Sequence, residues 1–158
     1  MTSSDTDTAS KTLTVLNPFD LTPVDTVPEN TADDVETALA NADALFRNRD
    51  AWLPEYDRLA VLERTAALME ERLDHLADTA VREGGKPMMD TQEEVARAID
   101  SVKNTIAALR TEGGDAIPMG LTPASGNRMA FTRKEPVGVV VAVSAFNHPL
   151  NLIVHQVA

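Results

Sequence analysis

The polar turn Ser144–His148 is the stretch of this sequence best suited to chemistry. It separates two apolar segments, and it presents an amide at Asn147 and an imidazole at His148. Taken alone, an asparagine two residues before a proline that opens an apolar segment is typical of a helix N-cap or a turn former. His148 in the same turn can contact a substrate or a neighbouring helix. The turn is therefore the first candidate for a functional site.

Nucleophilic and metal chemistry find less support in the sequence. The chain has no cysteine, which excludes disulfides, thiolate metal ligands and a cysteine nucleophile supplied by these residues. The three histidines, His75, His148 and His155, are well separated and have no partner at metal-ligand spacing. We therefore predict no metal site, and structural or solvent-exposed roles for these histidines.

Adjacent acidic residues and one glycine pair have simple structural interpretations. The pairs Asp33-Asp34, Glu70-Glu71 and Glu93-Glu94 lie on predicted helices, where neighbouring side chains do not converge across a cleft. We interpret them as first-turn charges and solvated faces. Gly84-Gly85-Lys86 follows a helix instead of a strand and lacks the Walker spacing, so it predicts a helix C-cap and not a phosphate loop.

Two elements must position the candidate turn. Val137–Val143 is apolar at every residue except Gly138, a pattern typical of a strand inside a parallel sheet covered by helices. Pro149 is suited to the first position of a helix, and the residues after it are apolar at helical spacing. Strand, tight turn and helix form the first half of a βαβ unit, which predicts an α/β fold class.

The preceding residues predict a mainly helical region. Short strands are expected at Lys11–Val15 and Val24–Val27, and a helix is expected to begin at the N-cap Thr31. A long second helix, continuous or restarted near Leu76, is stopped by Glu83–Pro87. A third helix carries one apolar stripe, consisting of Val95, Ile99, Val102, Ile106 and Leu109.

A change of pattern follows the third helix. Two short strands are predicted here, at Ile117–Met119 and Met129–Arg133, and a loop of turn-forming residues joins them. This arrangement predicts a protruding β-ribbon. No internal repeat is visible. Residues 1–10 are almost entirely polar and predict a mobile tail.

Composition restricts the partners. The 158 residues carry a net charge of −11, so nucleic acid and anionic membranes are poor partners. No apolar run reaches the length of a membrane span, and the first residues do not read as a signal peptide, so we expect a cytoplasmic protein. The acidic, lysine-poor composition suits either a salt-adapted source or ordinary acidic solubility, and both interpretations stay open.

The segment Lys134–Pro149 carries the most specific motif. Its sequence resembles the R-E-P-V-G-V-V…P-W/F-N-x-P signature of the NAD(P)-dependent aldehyde dehydrogenase superfamily. Weaker similarities to the same family precede it in the same order, at Asn17-Pro18, Val27-Pro28, the stretch containing Trp52, Arg58 and Leu62, Glu83–Pro87, and the helix carrying Glu94, Val95 and Ile99. The run Phe146–Asn151 resembles the lactaldehyde and phosphonoacetaldehyde branch more closely than the broad-specificity branch.

The resemblance implies a function for the turn. In that family, the asparagine matching Asn147 donates its amide to the oxyanion formed when a cysteine thiolate attacks an aldehyde. The resemblance also implies that Val143, Ser144, Ala145, Phe146 and Asn147 bind NAD or NADP at the carboxyl end of the first strand. Ala145 departs from the family, which often has proline there.

The resemblance also implies a domain organisation. Residues 11–114 would form the N-terminal helical part of the NAD(P)-binding domain, 115–136 an oligomerisation ribbon, and 137–158 the first strand and helix of a Rossmann-type cofactor domain. The family's nucleophilic cysteine and general-base glutamate lie further along than Ala158. We therefore expect an inactive N-terminal portion of an aldehyde dehydrogenase that would assemble as a homo-oligomer. The alternatives are a non-catalytic binding or assembly fragment and a truncated gene product.

Overall fold

The computed structural model describes residues 11–158, and the predicted mobile tail, residues 1–10, lies outside the described residues. The described region contains five α-helices and two antiparallel pairs of strands. In chain order, the elements are β1 (Thr12–Leu16), β2 (Pro23–Pro28), α1 (Ala32–Arg47), α2 (Glu55–Glu71), α3 (Leu73–Gly84), α4 (Met88–Thr111), β3 (Ala116–Ile117), β4 (Ala130–Phe131) and α5 (Pro149–Val157). Two short 3₁₀ turns, at Arg49–Ala51 and Pro123–Ser125, lie between them.

Helix α4 is the centre of the fold. It packs against α2, α3 and α5, and four residues of the predicted apolar stripe are buried along it: Val95, Ile99, Val102 and Ile106. Leu109, the fifth residue of that stripe, is half-buried. Complete burial of such an aliphatic side chain stabilises a fold by about 1.5–3 kcal/mol. The stripe therefore holds the helices together, as its spacing predicts.

Local signals define the helix ends. The Thr31 side chain accepts a hydrogen bond from the Asp34 backbone amide, and the Asp34 carboxylate accepts one from the Thr31 amide, so α1 begins with the predicted cap. Gly85 ends α3 in the left-handed conformation with φ of 66°. A Cβ at Gly85 would also lie 2.8 Å from Cγ of Pro18. Both the left-handed backbone and this close approach therefore favour glycine at this position. The predicted C-cap is confirmed.

All four predicted short strands are present, and they form two antiparallel pairs. Strands β1 and β2 pair antiparallel from Thr12 opposite Pro28. In the predicted ribbon, β3 and β4 are only two residues each, with Ala116 opposite Phe131. Gly114 precedes this ribbon with φ of 129°, and a Cβ there would lie 2.1 Å from the carbonyl oxygen of Thr132. The close approach of the two backbones therefore depends on glycine.

The predicted strand at Val137–Val143 is wrong for this structure. These residues form no strand, and the side chains of Val137 and Val141 are 90% and 71% exposed. A β-strand forms only when an adjacent strand pairs with its backbone N–H and C=O groups. Within residues 11–158, no strand lies beside this segment. The helix predicted after it is confirmed, with Pro149 at its first position.

Within residues 11–158, no helix is both long enough and apolar enough to span a membrane.

Candidate active-site turn

The turn between Val143 and Pro149 leads directly into α5. His148 is the N-cap residue of α5, and Pro149 begins the helix because it needs no partner for a backbone N–H. Phe146 is 94% exposed, and Asn147 is also exposed. The five residues predicted as a site therefore form one continuous, largely solvent-facing turn.

The beginning of the turn is fixed by a side chain of α5. The Gln156 amide accepts a hydrogen bond from the Val143 backbone N–H at 2.8 Å and donates one to the Val143 carbonyl at 3.0 Å. The Ser144 hydroxyl donates to the Pro149 carbonyl at 3.1 Å. Although it is not in a strand, the backbone at Val143 has both of its polar groups bonded.

The end of the turn is fixed by a buried carboxylate of α4. Oε1 of Glu94 accepts hydrogen bonds from the backbone amides of Leu150 at 3.0 Å and Asn151 at 3.1 Å. These amides belong to the first turn of α5, where no intrahelical acceptor exists. Glu94 therefore caps α5 from another helix, and its negative charge lies at the positive end of the helix dipole.

A lysine joins this cap to the turn. Lys86 Nζ donates to Oε2 of Glu94 at 2.5 Å and lies 2.9 Å from Nδ1 of His148. Because an ammonium group has no lone pair, Lys86 can only donate in this contact, and Nδ1 of His148 is the acceptor. Nδ1 of His148 is also 3.4 Å from Oε2 of Glu94. Three polar groups from three parts of the chain thus meet beside Asn147.

Glu94 stays ionised in this environment. Its residue is only 2% exposed, and burial by itself raises the pKa of its carboxyl. The hydrogen bond from Lys86, the two amides of α5 and the positive charge of Lys86 act in the opposite direction and together lower the pKa below its ordinary value. The negative charge is therefore matched by donors on both carboxylate oxygens.

The prediction that Glu93 and Glu94 are both solvated is wrong for Glu94. Glu93 is exposed and pairs with Arg97 one helical turn later, as expected of a solvated face. Glu94 lies four residues before the buried Ala98 and so belongs to the inner face of α4. The spacing of four residues from Ala98 places Glu94 on the buried face of the helix. This spacing competes with the strong general preference of glutamate for solvent.

Lys86 also belongs to this network, which neither the predicted C-cap nor the rejected phosphate loop at Gly84-Gly85-Lys86 anticipates. Among the histidines, His148 takes part in the network, and Nε2 of His155 lies 2.5 Å from Oγ of Ser101 on α4. His75 is exposed. In the described part of the chain, no three or more histidine, aspartate or glutamate side chains are arranged to hold a metal ion.

Two cavities lie away from the turn, beside the chain that leads into it. They measure about 380 and 480 Å³ and share the wall formed by Arg58 and Arg133–Pro136. The first is also lined by Trp52, whose ring lies 5.1 Å from the guanidinium of Arg49. Arg49 in turn pairs with Glu135 at 2.8 Å. These contacts attach the segment before Val137 to the end of α1.

The sequence matches a known family over nearly its full length. Residues 5–158 match the aldehyde dehydrogenase family. The chain therefore belongs to the aldehyde dehydrogenase family, as the motif in Lys134–Pro149 implies.

Individual relatives agree with this assignment. The chain is 34% identical over 150 residues to a 3-sulfolactaldehyde dehydrogenase of Priestia aryabhattai. The aligned region covers 95% of this chain and 31% of the relative. It matches the crystal structure of aldehyde dehydrogenase 21 from Physcomitrella patens, in complex with the reaction product succinate, with a TM-score of 0.86 and 32% identity over 96% of this chain and 31% of that one.

A second solved structure supports the same fold. Glyceraldehyde-3-phosphate dehydrogenase from Methanocaldococcus jannaschii, complexed with NADP, matches with a TM-score of 0.81 and 29% identity, covering 95% of this chain and 31% of that one. The expected fold class, an α/β N-terminal part of an aldehyde dehydrogenase fold, is confirmed. The chain spans about a third of the length of the relatives described here.

Proposed function

We propose that these residues are the N-terminal part of an NAD(P)+-dependent aldehyde dehydrogenase. The complete enzyme would oxidise an aldehyde to a carboxylic acid through a thioester on a cysteine. The observation that carries the proposal is the turn Val143–Pro149, which presents Asn147 to solvent and is held at both ends, in a chain of this family. The proposed substrates are short hydroxyaldehydes, in line with the relative named 3-sulfolactaldehyde dehydrogenase.

In this proposal Asn147 is a catalytic residue. When a thiolate attacks the aldehyde carbon, the carbonyl oxygen becomes an oxyanion. A side-chain N–H aimed at that position stabilises the charge more in the transition state than in the bound aldehyde. The turn can hold the Asn147 side chain in one direction because the backbone on both sides of it is hydrogen-bonded. Val143 is bonded to Gln156 of α5, and the start of α5 is bonded to Glu94 of α4. Loss of one such donor typically lowers the rate by a factor of about 10² to 10³.

The cofactor would contact Val143, Ser144, Ala145, Phe146 and Asn147. When bound, NAD(P)+ supplies the hydride acceptor. The turn fits an uncharged part of such a cofactor, because Phe146 and Val143 expose apolar side chains. It does not fit a phosphate, because Pro149 has no N–H and Glu94 already occupies the amides of Leu150 and Asn151.

The test of the catalytic assignment is Asn147→Ala in protein produced from a complete reading frame. We expect kcat to fall about 10²- to 10³-fold with a small change in KM for the aldehyde. Asn104→Ala, an exposed position on α4, is the matched control and should keep full activity. An unchanged kcat for Asn147→Ala would refute the oxyanion role.

The 158-residue chain by itself should turn over no aldehyde, because it contains no cysteine thiolate to form the covalent intermediate. Reduction of NAD+ or NADP+ by the purified chain with a small aldehyde, followed by absorbance of the reduced nicotinamide, measures this. Any cysteine-independent turnover contradicts the proposal.

Assembly is the second proposed role, for the complete enzyme or for a non-catalytic fragment. We propose that residues 115–136 form a contact between subunits of a homo-oligomer. In this ribbon Met129 is 90% exposed and Phe131 is 74% exposed, and exposed apolar side chains are typical of interaction surfaces. Light scattering after size-exclusion chromatography should show that Phe131→Lys lowers the molar mass of the assembly. Tyr56→Lys, which changes an equally exposed aromatic residue on α2, should not.

Two further expectations belong to this proposal. The cytoplasmic location stays a prediction, tested by fractionation of the source cells. Salt adaptation is supported by the net charge of −11 and by the four lysines against ten arginines. A salt-adapted chain should become more stable as KCl rises to molar concentration, and indifference to KCl would leave ordinary acidic solubility as the explanation.

A further inference from the structure

The N-terminus of α5 depends on a residue far away in sequence. Its own N-cap residue, His148, makes no side-chain capping hydrogen bond. The amides of Leu150 and Asn151 are bonded instead to Glu94, which lies 56 and 57 residues earlier in the chain. The first turn of α5 is therefore held by α4 in addition to its own Pro149.

The same carboxylate reaches the turn through a second contact. The side chains of Lys86 and Glu94 are 16% and 1% exposed, so the pair is shielded from solvent. Lys86 also contacts His148, the residue that directly follows Asn147. The pair thus touches the chain on one side of Asn147, while Gln156 and Ser144 hold the other side.

We propose that Glu94 and Lys86 are positioning residues that fix the turn carrying Asn147, a role that rests on the proposed function of that asparagine. Glu94 orients the first turn of α5, and Lys86 holds His148 against it. An amide donor stabilises an oxyanion only when its direction is fixed before the reaction. The pair supplies that fixation without touching the substrate.

The test compares three variants of the full 158-residue chain by NMR. Glu94→Leu removes the charge and the acceptor, and Glu94→Gln keeps an acceptor oxygen for the amides of α5 and removes the charge. Glu93→Gln is the matched control, because Glu93 is the exposed neighbour on the same helix. Amide hydrogen exchange reports the cap, and residual dipolar couplings report the direction of the Asn147 backbone N–H relative to α4.

Glu94→Leu should raise the exchange rates of the Leu150 and Asn151 amides about tenfold or more, since each loses a hydrogen bond to a charged acceptor. It should also change the dipolar coupling of Asn147. Glu94→Gln should restore most of the exchange protection and the native coupling, and Glu93→Gln should leave both unchanged. Rescue by the isosteric amide distinguishes orientation of the turn from general loss of packing.

If Glu94→Leu does not fold, Lys86→Gln provides the decisive variant, and it should change the couplings of Asn147 and His148 while leaving α2 and α3 unchanged. An unchanged Asn147 coupling in the folded variant overturns the positioning role and leaves the proposed function standing. Failure of Asn147→Ala to lower kcat would refute the proposed function itself, so the two failures are distinguishable.

Discussion

At the scale of the residue, Glu94 bonds the helix that follows the candidate turn from a different helix. Its carboxylate is buried but fully bonded, to Lys86 through one oxygen and to two amides of α5 through the other. A buried charge of this kind contributes little when complete and costs much when one partner is removed. The energetic consequences of substitution are therefore unequal among the ion pairs of this chain.

Substitution of Lys86 should be among the most destabilising changes to an ion pair. Lys86→Met leaves the buried Glu94 carboxyl without its cation, so we expect a loss of about 3–5 kcal/mol in the free energy of unfolding. Lys103→Met is the matched control, because Lys103 and Glu70 are both 52% exposed and should lose about 1 kcal/mol or less. Urea denaturation measures both, and equal losses would contradict the interpretation.

The lowered pKa of Glu94 predicts acid sensitivity. An unfolded glutamate, with a pKa of about 4.3, binds a proton at a pH where folded Glu94 does not. The stability that Glu94 contributes is therefore complete above that pH and is lost as the pH falls through the lower folded pKa. Urea midpoints from neutral pH to pH about 3 should fall more steeply for the native chain than for Glu94→Gln. Parallel curves would show that Glu94 does not contribute.

At the scale of the element, the sequence predicts what depends on neighbours in the chain. The cap at Thr31, the stop at Gly85 and the apolar stripe of α4 each depend on residues of one helix or its immediate ends, and all three are confirmed. The strand prediction for Val137–Val143 is wrong because a strand requires two paired segments, and no strand among residues 11–158 pairs with this one. Glu94 was missed for a related reason, since its partners are far away in sequence.

The elements should differ in their resistance to opening. Helix α1 has a capped start but contains no buried residue, whereas α4 contains seven. Helix α1 is therefore held mainly by its own hydrogen bonds and should open locally without unfolding of the core. Hydrogen exchange followed by NMR should show faster exchange for the middle of α1 than for Val95–Val102. Uniform protection across both helices would contradict this expectation.

At the scale of the whole molecule, the chain combines strong charge repulsion with an unpaired apolar segment. The net charge of −11 opposes association, while exposed valines from Val137 to Val143 favour it. The helices around α4 provide a core of their own, so the segment can be exposed while the rest stays folded. The balance between these two terms should decide whether the chain stays monomeric.

We expect the chain to associate as its concentration rises, through the apolar segment. Val140→Asp combined with Val141→Asp should shift association to higher concentrations, because both side chains are largely exposed, at 65% and 71%. Val35→Asp combined with Val61→Asp, at valines 53% and 58% exposed on α1 and α2, adds the same two charges elsewhere and should have a smaller effect. Light scattering over a concentration series measures all three, and a native chain that stays monomeric throughout would refute the expectation.

The contact between Gln156 and Val143 has a kinetic consequence. The glutamine amide bonds the same two backbone groups that an adjacent strand would use at Val143. An incoming strand must first displace this amide, so Gln156 acts as an intramolecular competitor for sheet formation at that residue. We therefore expect the Gln156 side chain to slow the pairing of Val143 with another strand.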